Sequence, residues 1–277
     1  MMELLFDRRV LRHNPLSAEE GAWRLDEISK KVQNTPVEID GEEYLELVHS
    51  AEYIAAVKDA SRNSLRFAYM QNDPTSYDCA SLAVAMAVKA SEEGLFSLAR
   101  PPGHHASQNV GDGYCLFNNV AIAARKLVNL GAKVAILDFD AHHGDGTQRT
   151  FLGEPQIKYF SIHENNCWPF SGEKGWQQNC FNYPVDPRSE DRILVEWGKI
   201  VQEKVSLFGP DYIAISAGFD GLNEDRVSNL DFSVEGYRSL GSLLGKLETK
   251  TFAVLEGGYH EKVYDCVVGF SEGFNAA

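Results

Sequence analysis

The residues best suited to chemistry are concentrated in the segment VAILDFDAHHGDGTQ, residues 134–148. An apolar run ends in three aspartates and two histidines within eight positions, from Asp138 to Asp145. Asp140 and His142 are two positions apart, so an extended backbone would point both side chains to the same side. A carboxylate and an imidazole held together supply two of the three protein ligands that a catalytic metal site uses. The segment therefore predicts a metal site at the end of a buried strand.

Other reactive side chains follow other apolar runs. Asp220, in AGFDG, could be the third ligand, because two Asp and one His leave a coordination position open for catalysis. His104 and His105 follow RPPG, whose prolines and glycine predict a rigid turn. Such a pair could bind metal, transfer protons or fill the turn. Asp138 and Asp145 remain as carboxylates that could hydrogen-bond the remote ring nitrogens of these histidines.

The segment LEGGYH, residues 255–260, adds a tyrosine. Its two glycines let the backbone bend sharply just before Tyr259. A hydroxyl placed near a metal could stabilise a developing oxyanion. Taken alone, the motif equally fits a half-buried aromatic residue.

Regular elements must position these residues. Five runs have strand length, and most are apolar on both faces, as buried parallel strands are; they span 95–99, 133–139, 157–162, 211–217 and 251–256. Helical patterns lie before, between and after them at 75–94, 116–131, 189–210 (with Ser189 as a candidate N-cap), 233–248 and 261–274. This alternation predicts one α/β domain over residues 1–277, a mostly parallel multi-stranded sheet with helices on both faces. Each run is followed by polar or glycine-rich residues. Because ligands bind beyond the carboxyl ends of the strands in such sheets, we expect these residues to converge on one site.

Composition narrows the class of protein. With 277 residues, 44% of them hydrophobic, the chain has ample material for a core. A net charge of −14 disfavours nucleic acid as a partner. No apolar run approaches bilayer length, so no membrane association is expected. Five scattered cysteines without a CxxC pair predict free thiols in a reducing compartment, and we expect a cytoplasmic protein. The sequence leaves the oligomeric state open.

Five motifs together resemble one family. The motifs occur in the order expected of the histone deacetylase and acetylpolyamine amidohydrolase family, and their sequences resemble those of its class II and bacterial branch. They are RPPGHHA, GYCLFNNVAIAA, ILDFDAHHGDGTQ, AGFDG and LEGGY. The likeness extends from about Asp73 to about Tyr264. It implies an arginase/deacetylase fold with a single Zn²⁺ in a tunnel, Fe²⁺ being the alternative metal. It also implies that Asp140, His142 and Asp220 bind that metal.

The resemblance implies further roles by position. His104 and His105 would be the acid/base pair, supported by Asp138 and Asp145, and Tyr259 would polarise the substrate carbonyl. Gly113 and Tyr114 would form the tunnel wall that grips an acyl-lysine stem. Such enzymes also bind a structural K⁺ beneath the zinc site, and the residues at that position are Asp138, Asp140, His142, Ser161 and Ile162.

The leading hypothesis is a zinc-dependent amidohydrolase that removes an acetyl or other acyl group from an acylated lysine or acylated small amine. Acetylpolyamines are an alternative substrate, although polyamine-selective class II relatives carry a gatekeeper glutamate where this chain has Val227. An arginase-like ureohydrolase is a second alternative, but it would need additional aspartates to bridge two Mn²⁺ ions. A non-catalytic, metal-dependent binder of acylated ligands is a third, which the His pair and Tyr259 disfavour because a binder needs neither.

Overall fold

The structure, a computed structural model, describes residues 2–17 and 19–277. The strands are β1 (Leu4–Leu5), β2 (Arg66–Phe67), β3 (Met70–Gln71), β4 (Phe96–Ser97), β5 (Val134–Asp138), β6 (Ile157–Glu164), β7 (Trp176–Gln177), β8 (Cys180–Val185), β9 (Tyr212–Ala217) and β10 (Lys250–Leu255). Eight of them form the main sheet, in the order β1-β4-β10-β9-β5-β6-β8-β7. β7 is antiparallel to β8, and the other neighbours are parallel. A separate antiparallel hairpin consists of β2 and β3.

Helices cover both faces of the sheet. They are α1 (Asp26–Lys31), α2 (Ala51–Arg62), α3 (Ser76–Glu93), α4 (Asn119–Asn129), α5 (Asp145–Phe151), α6 (Asp191–Phe208), α7 (Val234–Leu244) and α8 (Val263–Asn275). Three 3₁₀ helices, Arg8–Arg12, Ala22–Leu25 and Gly41–Leu47, lie in the N-terminal segment. Helices α6, α7 and α8 pack on one face, while α2 and α4 pack on the other.

The central strands explain why the sequence forms this layered core. Along β5, Ala135 and Leu137 belong to the apolar cluster on one face, and Val134 and Ile136 belong to the cluster on the other. Successive side chains of a strand point to opposite faces, so a strand buried on both faces must be apolar at every position. The predicted fold, a mostly parallel sheet with helices on both faces, is confirmed.

The predicted helices are present, with one correction at a helix start. Helix α6 begins at Asp191 with Glu190 as its N-cap residue, so Ser189 is not the N-cap. The Ser189 hydroxyl instead donates to the Asp186 carbonyl, and Asp191 accepts hydrogen bonds from Ser233. Ser233 itself caps α7, as its position before the helix predicts, by accepting from the Gly236 N–H. All five cysteines are free thiols.

None of the helices within the described ranges combines the length and the apolar character that a bilayer crossing requires. The sequence patterns predict none of helices α1, α2 and α5 and none of strands β1, β2, β3, β7 and β8. The two longest of these, α2 and β8, are less uniformly apolar than the central strands, since α2 carries Glu52, Lys58 and Asp59, and β8 carries Asn182 and Pro184.

The loop between α5 and β6 is held by one side chain, Asn179. Its amide nitrogen lies 2.9–3.2 Å from three main-chain carbonyl oxygens, and its Oδ1 accepts the Gly153 N–H at 2.7 Å. The three carbonyls belong to Phe151, Glu154 and Ile157. The Phe151 and Glu154 carbonyls also accept main-chain N–H groups, so the amide adds side-chain hydrogen bonds to a turn that the backbone already closes.

Candidate active site

The predicted site residues meet at one edge of the sheet. Five adjacent strands, β4, β10, β9, β5 and β6, are parallel, so their carboxyl ends lie side by side. The segments that follow β4, β5, β9 and β10 carry the His104–His105 pair, the aspartates from Asp140 onward, Asp220 and Tyr259, respectively. Strand order therefore gathers side chains that are up to 155 positions apart in the sequence, as in other open α/β sheets.

Asp140, His142 and Asp220 form a cluster with the spacing of metal ligands. One ligand atom from each residue lies within 4.8 Å of the others. His142 Nδ1 lies 2.8 Å from Asp220 Oδ2 and 3.2 Å from Asp140 Oδ1. Both carboxylates are buried. The backbone here differs from our expectation, because β5 ends at Asp138 and residues 140–142 form a bend rather than an extended segment.

The second nitrogen of His142 indicates which atom would bind a metal. Its Nε2 lies 3.2 Å from the Val227 carbonyl oxygen, which can only accept, so Nε2 carries the proton. In the neutral ring, the Nδ1 lone pair then faces the two carboxylates. Burial and the neighbouring Asp140 carboxylate raise the pKa of Asp220. Two carboxylate groups and one imidazole nitrogen converging in a buried place fit a divalent cation such as zinc.

Backbone groups fix the carboxylates. The Ala141 N–H donates to Asp220 Oδ1 at 2.8 Å, and the Gly257 N–H donates to Asp140 Oδ2 at 2.8 Å. A Cβ atom at position 257 would lie 2.4 Å from Asp220 Oδ2 and 2.6 Å from Asp140 Oδ2. Glycine is required there because the backbone passes against both carboxylates.

The two adjacent histidines each pair with a separate aspartate. His104 Nδ1 lies 3.1 Å from Asp138 Oδ2, and His105 Nδ1 lies 2.9 Å from Asp145 Oδ1. A carboxylate only accepts, so both rings carry a proton on Nδ1 and direct Nε2 away from the aspartates. His104 Nε2 is 3.8 Å from Asp140 Oδ1, which brings this ring beside the metal cluster.

The surroundings of the two histidines shift their pKa values in opposite directions. Burial disfavours the charged ring of His104, but the Asp140 and Asp138 carboxylates outweigh burial and raise its pKa to about 10. Burial and the neighbouring His104 lower the pKa of His105 to about 3. Asp145 keeps a lowered pKa despite burial because it accepts the His105 hydrogen bond. Such separation of neighbouring groups is characteristic of acid/base sites.

Tyr259 lines a cavity together with His105 and His142. Its backbone N–H donates to Asp225 Oδ2 at 2.7 Å, and the Arg24 guanidinium lies 4.4 Å from the centre of its ring. Its enclosed surroundings raise the pKa of Tyr259 well above the usual range for tyrosine, so the hydroxyl keeps its proton and can donate.

A tunnel leads to the cluster. Its volume is about 210 Å³, and its lining includes both the exposed Tyr69 and His142 of the cluster. Gly113 and Tyr114, which the GYC motif predicts to be wall residues, line the tunnel. Val227, which occupies the sequence position of the gatekeeper glutamate, lines it too. The wall residues are His105, Gly113, Tyr114, Trp168, Val227 and Tyr259. Aromatic walls around a narrow cavity suit an aliphatic stem.

Several residues near the site were not predicted from the sequence, among them Tyr69 of the tunnel lining. Trp168 packs 4.6 Å from His105, ring centre to ring centre, and Arg24 donates to the Gly258 and Glu256 carbonyls at 2.7 and 2.6 Å. The Glu256 carboxylate accepts the Gly103 N–H at 2.7 Å and the His104 N–H at 3.1 Å, and so holds the histidine turn. Of these residues, only Glu256 has a sequence feature that could have indicated its place in the site, because it is an acid at the end of an apolar strand.

The residues suggested for potassium lie on the two neighbouring strands β5 and β6 and the bend after β5. Asp138 and Ser161 are register partners in the sheet, and Ile162 follows Ser161 on β6. The Ser161 hydroxyl is 2.8 Å from His163 Nδ1. The potassium site stays a prediction.

The sheet and the converging strand ends define an enzyme of the arginase/deacetylase fold. The crystal structure of the HDA15 HD domain superposes with a TM-score of 0.88 at 27% identity, covering 100% of this chain and 91% of that one.

Sequence relatives give the family. Residues 12–270 match the histone deacetylase domain. The chain is 30% identical over 293 residues to a probable deacetylase of Archaeoglobus fulgidus, which covers 92% of this chain and 80% of that protein. It is 36% identical over 206 residues to an acetylpolyamine amidohydrolase of Burkholderia pseudomallei, or 71% of this chain and 60% of that one. The chain belongs to the histone deacetylase family, as predicted, and is by class a deacetylase.

Proposed function

We propose that this chain, as one catalytic domain over residues 1–277, is a metal-dependent amidohydrolase that removes an acetyl or other acyl group from an acylated amine such as acetyl-lysine. The observation that carries the proposal is the cluster of Asp140, His142 and Asp220, with ligand atoms within 4.8 Å, at the base of a tunnel. His105 and Tyr259 line the same tunnel, which brings proton-transfer and hydrogen-bonding groups to one place. Its free thiols agree with a cytoplasmic location.

Asp140, His142 and Asp220 would hold Zn²⁺, and the same donors accept Fe²⁺. When bound, such a metal polarises an amide carbonyl and acidifies water. A structural K⁺ would be held by Asp138, Asp140, His142, Ser161 and Ile162, since β5 and β6 bring Asp138 and Ser161 side by side.

The chain's own residues would supply the proton transfers. Asp138 and Asp145 hold the Nδ1 atoms of His104 and His105, which leaves each Nε2 for chemistry. One histidine accepts the proton of the attacking water, and the other carries charge or protonates the leaving amine.

The remaining predicted residues would bind the substrate. Tyr259 donates its hydroxyl proton to the oxygen that becomes negative. Gly113 and Tyr114 enclose the stem, because both lie in the tunnel wall.

Acetylpolyamines are the second candidate substrate. The observation in their favour is the similarity to the Burkholderia acetylpolyamine amidohydrolase. Against them, the tunnel position compared with the gatekeeper glutamate is Val227, which offers no charge to an ammonium group.

A panel of acyl-lysine peptides run beside acetylated polyamines, with chelator and metal add-back, tests the proposal. We expect peptide turnover that chelator abolishes and one equivalent of Zn²⁺ or Fe²⁺ restores. Binding of two Mn²⁺ equivalents with urea release would favour the arginase-like alternative. Tight peptide binding without turnover would favour the binder.

Tyr259→Phe tests the oxyanion role within that assay. We expect kcat to fall by about 10²–10³, because one transition-state hydrogen bond is lost, while metal content stays unchanged. Tyr44→Phe, in the distant 3₁₀ helix Gly41–Leu47, is the control and should keep full activity. Undiminished turnover by the Tyr259 variant would show that the role is wrong.

A further inference from the structure

The second histidine of the segment DAHHGDG has no part in the proposed reaction, although it lies beside the metal cluster. His143 is 2% exposed and directly follows His142. Its Nδ1 lies 2.7 Å from the Ser171 hydroxyl oxygen, and its Nε2 lies 3.1 Å from Gln148 Oε1. Both nitrogens of this buried ring are therefore used in hydrogen bonds to residues outside the cluster.

Neighbouring polar groups fix the direction of these hydrogen bonds. The Lys174 carbonyl can only accept, so the Asn182 atom that lies 3.2 Å from it is the amide nitrogen Nδ2. The same Nδ2 lies 2.8 Å from Gln148 Oε1, which is therefore an acceptor. It follows that His143 Nε2 carries the proton and that Nδ1 accepts a hydrogen bond from the Ser171 hydroxyl.

Ser171 belongs to the segment that carries Trp168 of the tunnel wall. This segment, residues 166–174, lies between β6 and β7, is irregular throughout and is called the Trp168 loop below. The Phe170 N–H donates to the Cys167 carbonyl at 2.8 Å, which closes a turn inside the loop. Such a local bond does not fix the loop relative to the rest of the chain, so contacts with other segments must do so.

The strongest of these contacts by distance is the hydrogen bond to His143. At 2.7 Å it is the shortest hydrogen bond between the Trp168 loop and the rest of the described chain. A second, from Asn182 Nδ2 to the Lys174 carbonyl, is 3.2 Å long and lies farther from Trp168 along the sequence. His143 is therefore the main polar support of the part of the loop that carries the ring.

The backbone after Ser171 also packs on His143. Gly172 has φ 79°, and a Cβ atom at this position would lie 2.8 Å from His143 Cγ and 2.6 Å from His163 Nε2. The two imidazole rings are 4.7 Å apart, centre to centre. Glycine is needed there because the chain passes directly over two buried rings.

The ring of Trp168 packs against residues of the site. Its centre lies 4.6 Å from the ring centre of His105 and 6.0 Å from that of His142. A Cβ atom at Gly113 would be 2.5 Å from Trp168 Cη2, so the ring and the opposite wall residue are in close contact. A displaced Trp168 would open the cavity beside His105.

We propose that His143 is a positioning residue for the reaction: by accepting the Ser171 hydroxyl it holds the Trp168 loop, and it thereby keeps the Trp168 ring against His105. The role in the reaction rests on the proposed function, whereas the position of the ring does not. A net hydrogen bond shifts an equilibrium by about tenfold or less, which bounds the effect of losing this one. A substrate that binds only molecules with the ring in place shows this loss in KM and not in kcat.

Fluorine NMR of protein that contains 5-fluorotryptophan measures the position of the ring without an activity assay. The chain has four tryptophans, and Trp168→Phe assigns the resonance of interest. Ser171→Ala removes the hydroxyl from a half-buried position, and Ser171→Thr keeps it. Ser76→Ala is the matched control, because its hydroxyl oxygen lies 3.1 Å from Nδ1 of the buried His13 and Ser76 is not among the described lining residues.

We expect the Trp168 resonance to shift or broaden in Ser171→Ala and in His143→Gln, and to stay parental in Ser171→Thr and Ser76→Ala. The double variant of Ser171→Ala and His143→Gln should resemble the single variants, because all three lack the same bond. With an acetyl-lysine peptide, Ser171→Ala should raise KM by about three- to tenfold and change kcat less than about twofold. Its metal content should stay parental.

An unchanged Trp168 resonance in Ser171→Ala would overturn the proposal. An equal change in Ser76→Ala would also overturn it, because the effect would then be general destabilisation. A displaced ring with a parental KM would show that His143 holds the loop without serving the reaction, and would refute the positioning role. If the parent hydrolyses no acylated amine, the proposed function fails, and the fluorine spectra still decide whether His143 holds Trp168.

Discussion

Protonation of one buried histidine, His49, is expected to destabilise the protein as the pH falls. Its side chain is 2% exposed and connects two loops of the site. Nδ1 lies 2.9 Å from the Ser107 carbonyl oxygen, and Nε2 accepts the Asn118 N–H at 3.0 Å. The neutral ring with its proton on Nδ1 satisfies both bonds, whereas a second proton would place two donors against each other. Burial lowers the pKa of His49 to about 4.

The sign and size of the effect follow from linkage. An unfolded histidine has a pKa of about 6.5, so between pH 6.5 and 4 the unfolded chain binds a proton that the folded protein does not. The contribution of His49 is therefore fully present above pH 6.5 and is lost as the pH falls toward 4. With the folded pKa near 4, the loss between pH 7 and 5 is about 2 kcal/mol, and its limit below pH 4 is about 3.4 kcal/mol.

Urea unfolding of the parent and His49→Gln at pH 7 and pH 5 measures this term. Glutamine stays neutral over the range, so the variant should lose about 2 kcal/mol less than the parent on acidification. Other buried histidines titrate in both proteins and cancel in the difference. Ser50→Ala is the control, because it removes the N-cap of α2 at the neighbouring position without removing a titrating group. It should be less stable at both pH values and show the parental pH dependence. Equal pH dependence in the parent and His49→Gln would refute the reasoning.

Two further substitutions test the loop support and the tunnel wall. Asn179→Ala should lower the free energy of unfolding by about 2 kcal/mol, since it removes the side-chain hydrogen bonds to three main-chain carbonyls and to the Gly153 N–H, and an unchanged urea midpoint would contradict this. Gly113→Ala should lower kcat/KM on an acetyl-lysine peptide more than tenfold, because its Cβ would lie 2.5 Å from Trp168 and 2.6 Å from His105. Gly131→Ala is its control: φ is 92° but no atom lies within 4 Å of the Cβ, so it shares the backbone strain and should keep full activity. Equal activity of the two glycine variants would exclude a role for Gly113 in the wall.

The sequence predicts the central strands well because they are buried on both faces. β5, β9 and β10 are almost continuously apolar, and each is followed directly by a segment that carries residues of the candidate active site. The start of α6 was misjudged because a Ser before a helix is only a candidate cap. Which residue caps a helix depends on tertiary partners, here the hydrogen bonds of Asp191 with Ser233 across 42 positions. Propensity cannot register a partner so distant in the chain.

The same distinction applies to the site. The site residues that were predicted from the sequence follow directly after strands. Their neighbours are set by the order of the parallel strands in the sheet. Arg24 reaches the site from the 3₁₀ helix Ala22–Leu25 and Trp168 from a turn, and nothing in their local sequence indicates that they contact Tyr259 and His105. Tyr69 lies in a hairpin whose sequence argues against the turn it forms. Alanine and tyrosine are unfavourable at the positive φ angles of this turn, so local turn preferences could not predict it.

The base and the mouth of the tunnel are therefore held by different kinds of interaction. At the base, main-chain N–H groups of Ala141 and Gly257 bind the carboxylates of Asp220 and Asp140, so the cluster depends on backbone position more than on surrounding side chains. At the mouth, an exposed ring sits on a strained turn and makes few contacts that the fold needs. Tyr69 and the metal cluster therefore border one cavity but do not share their supports, so a substitution at Tyr69 should leave the positions of Asp140, His142 and Asp220 unchanged.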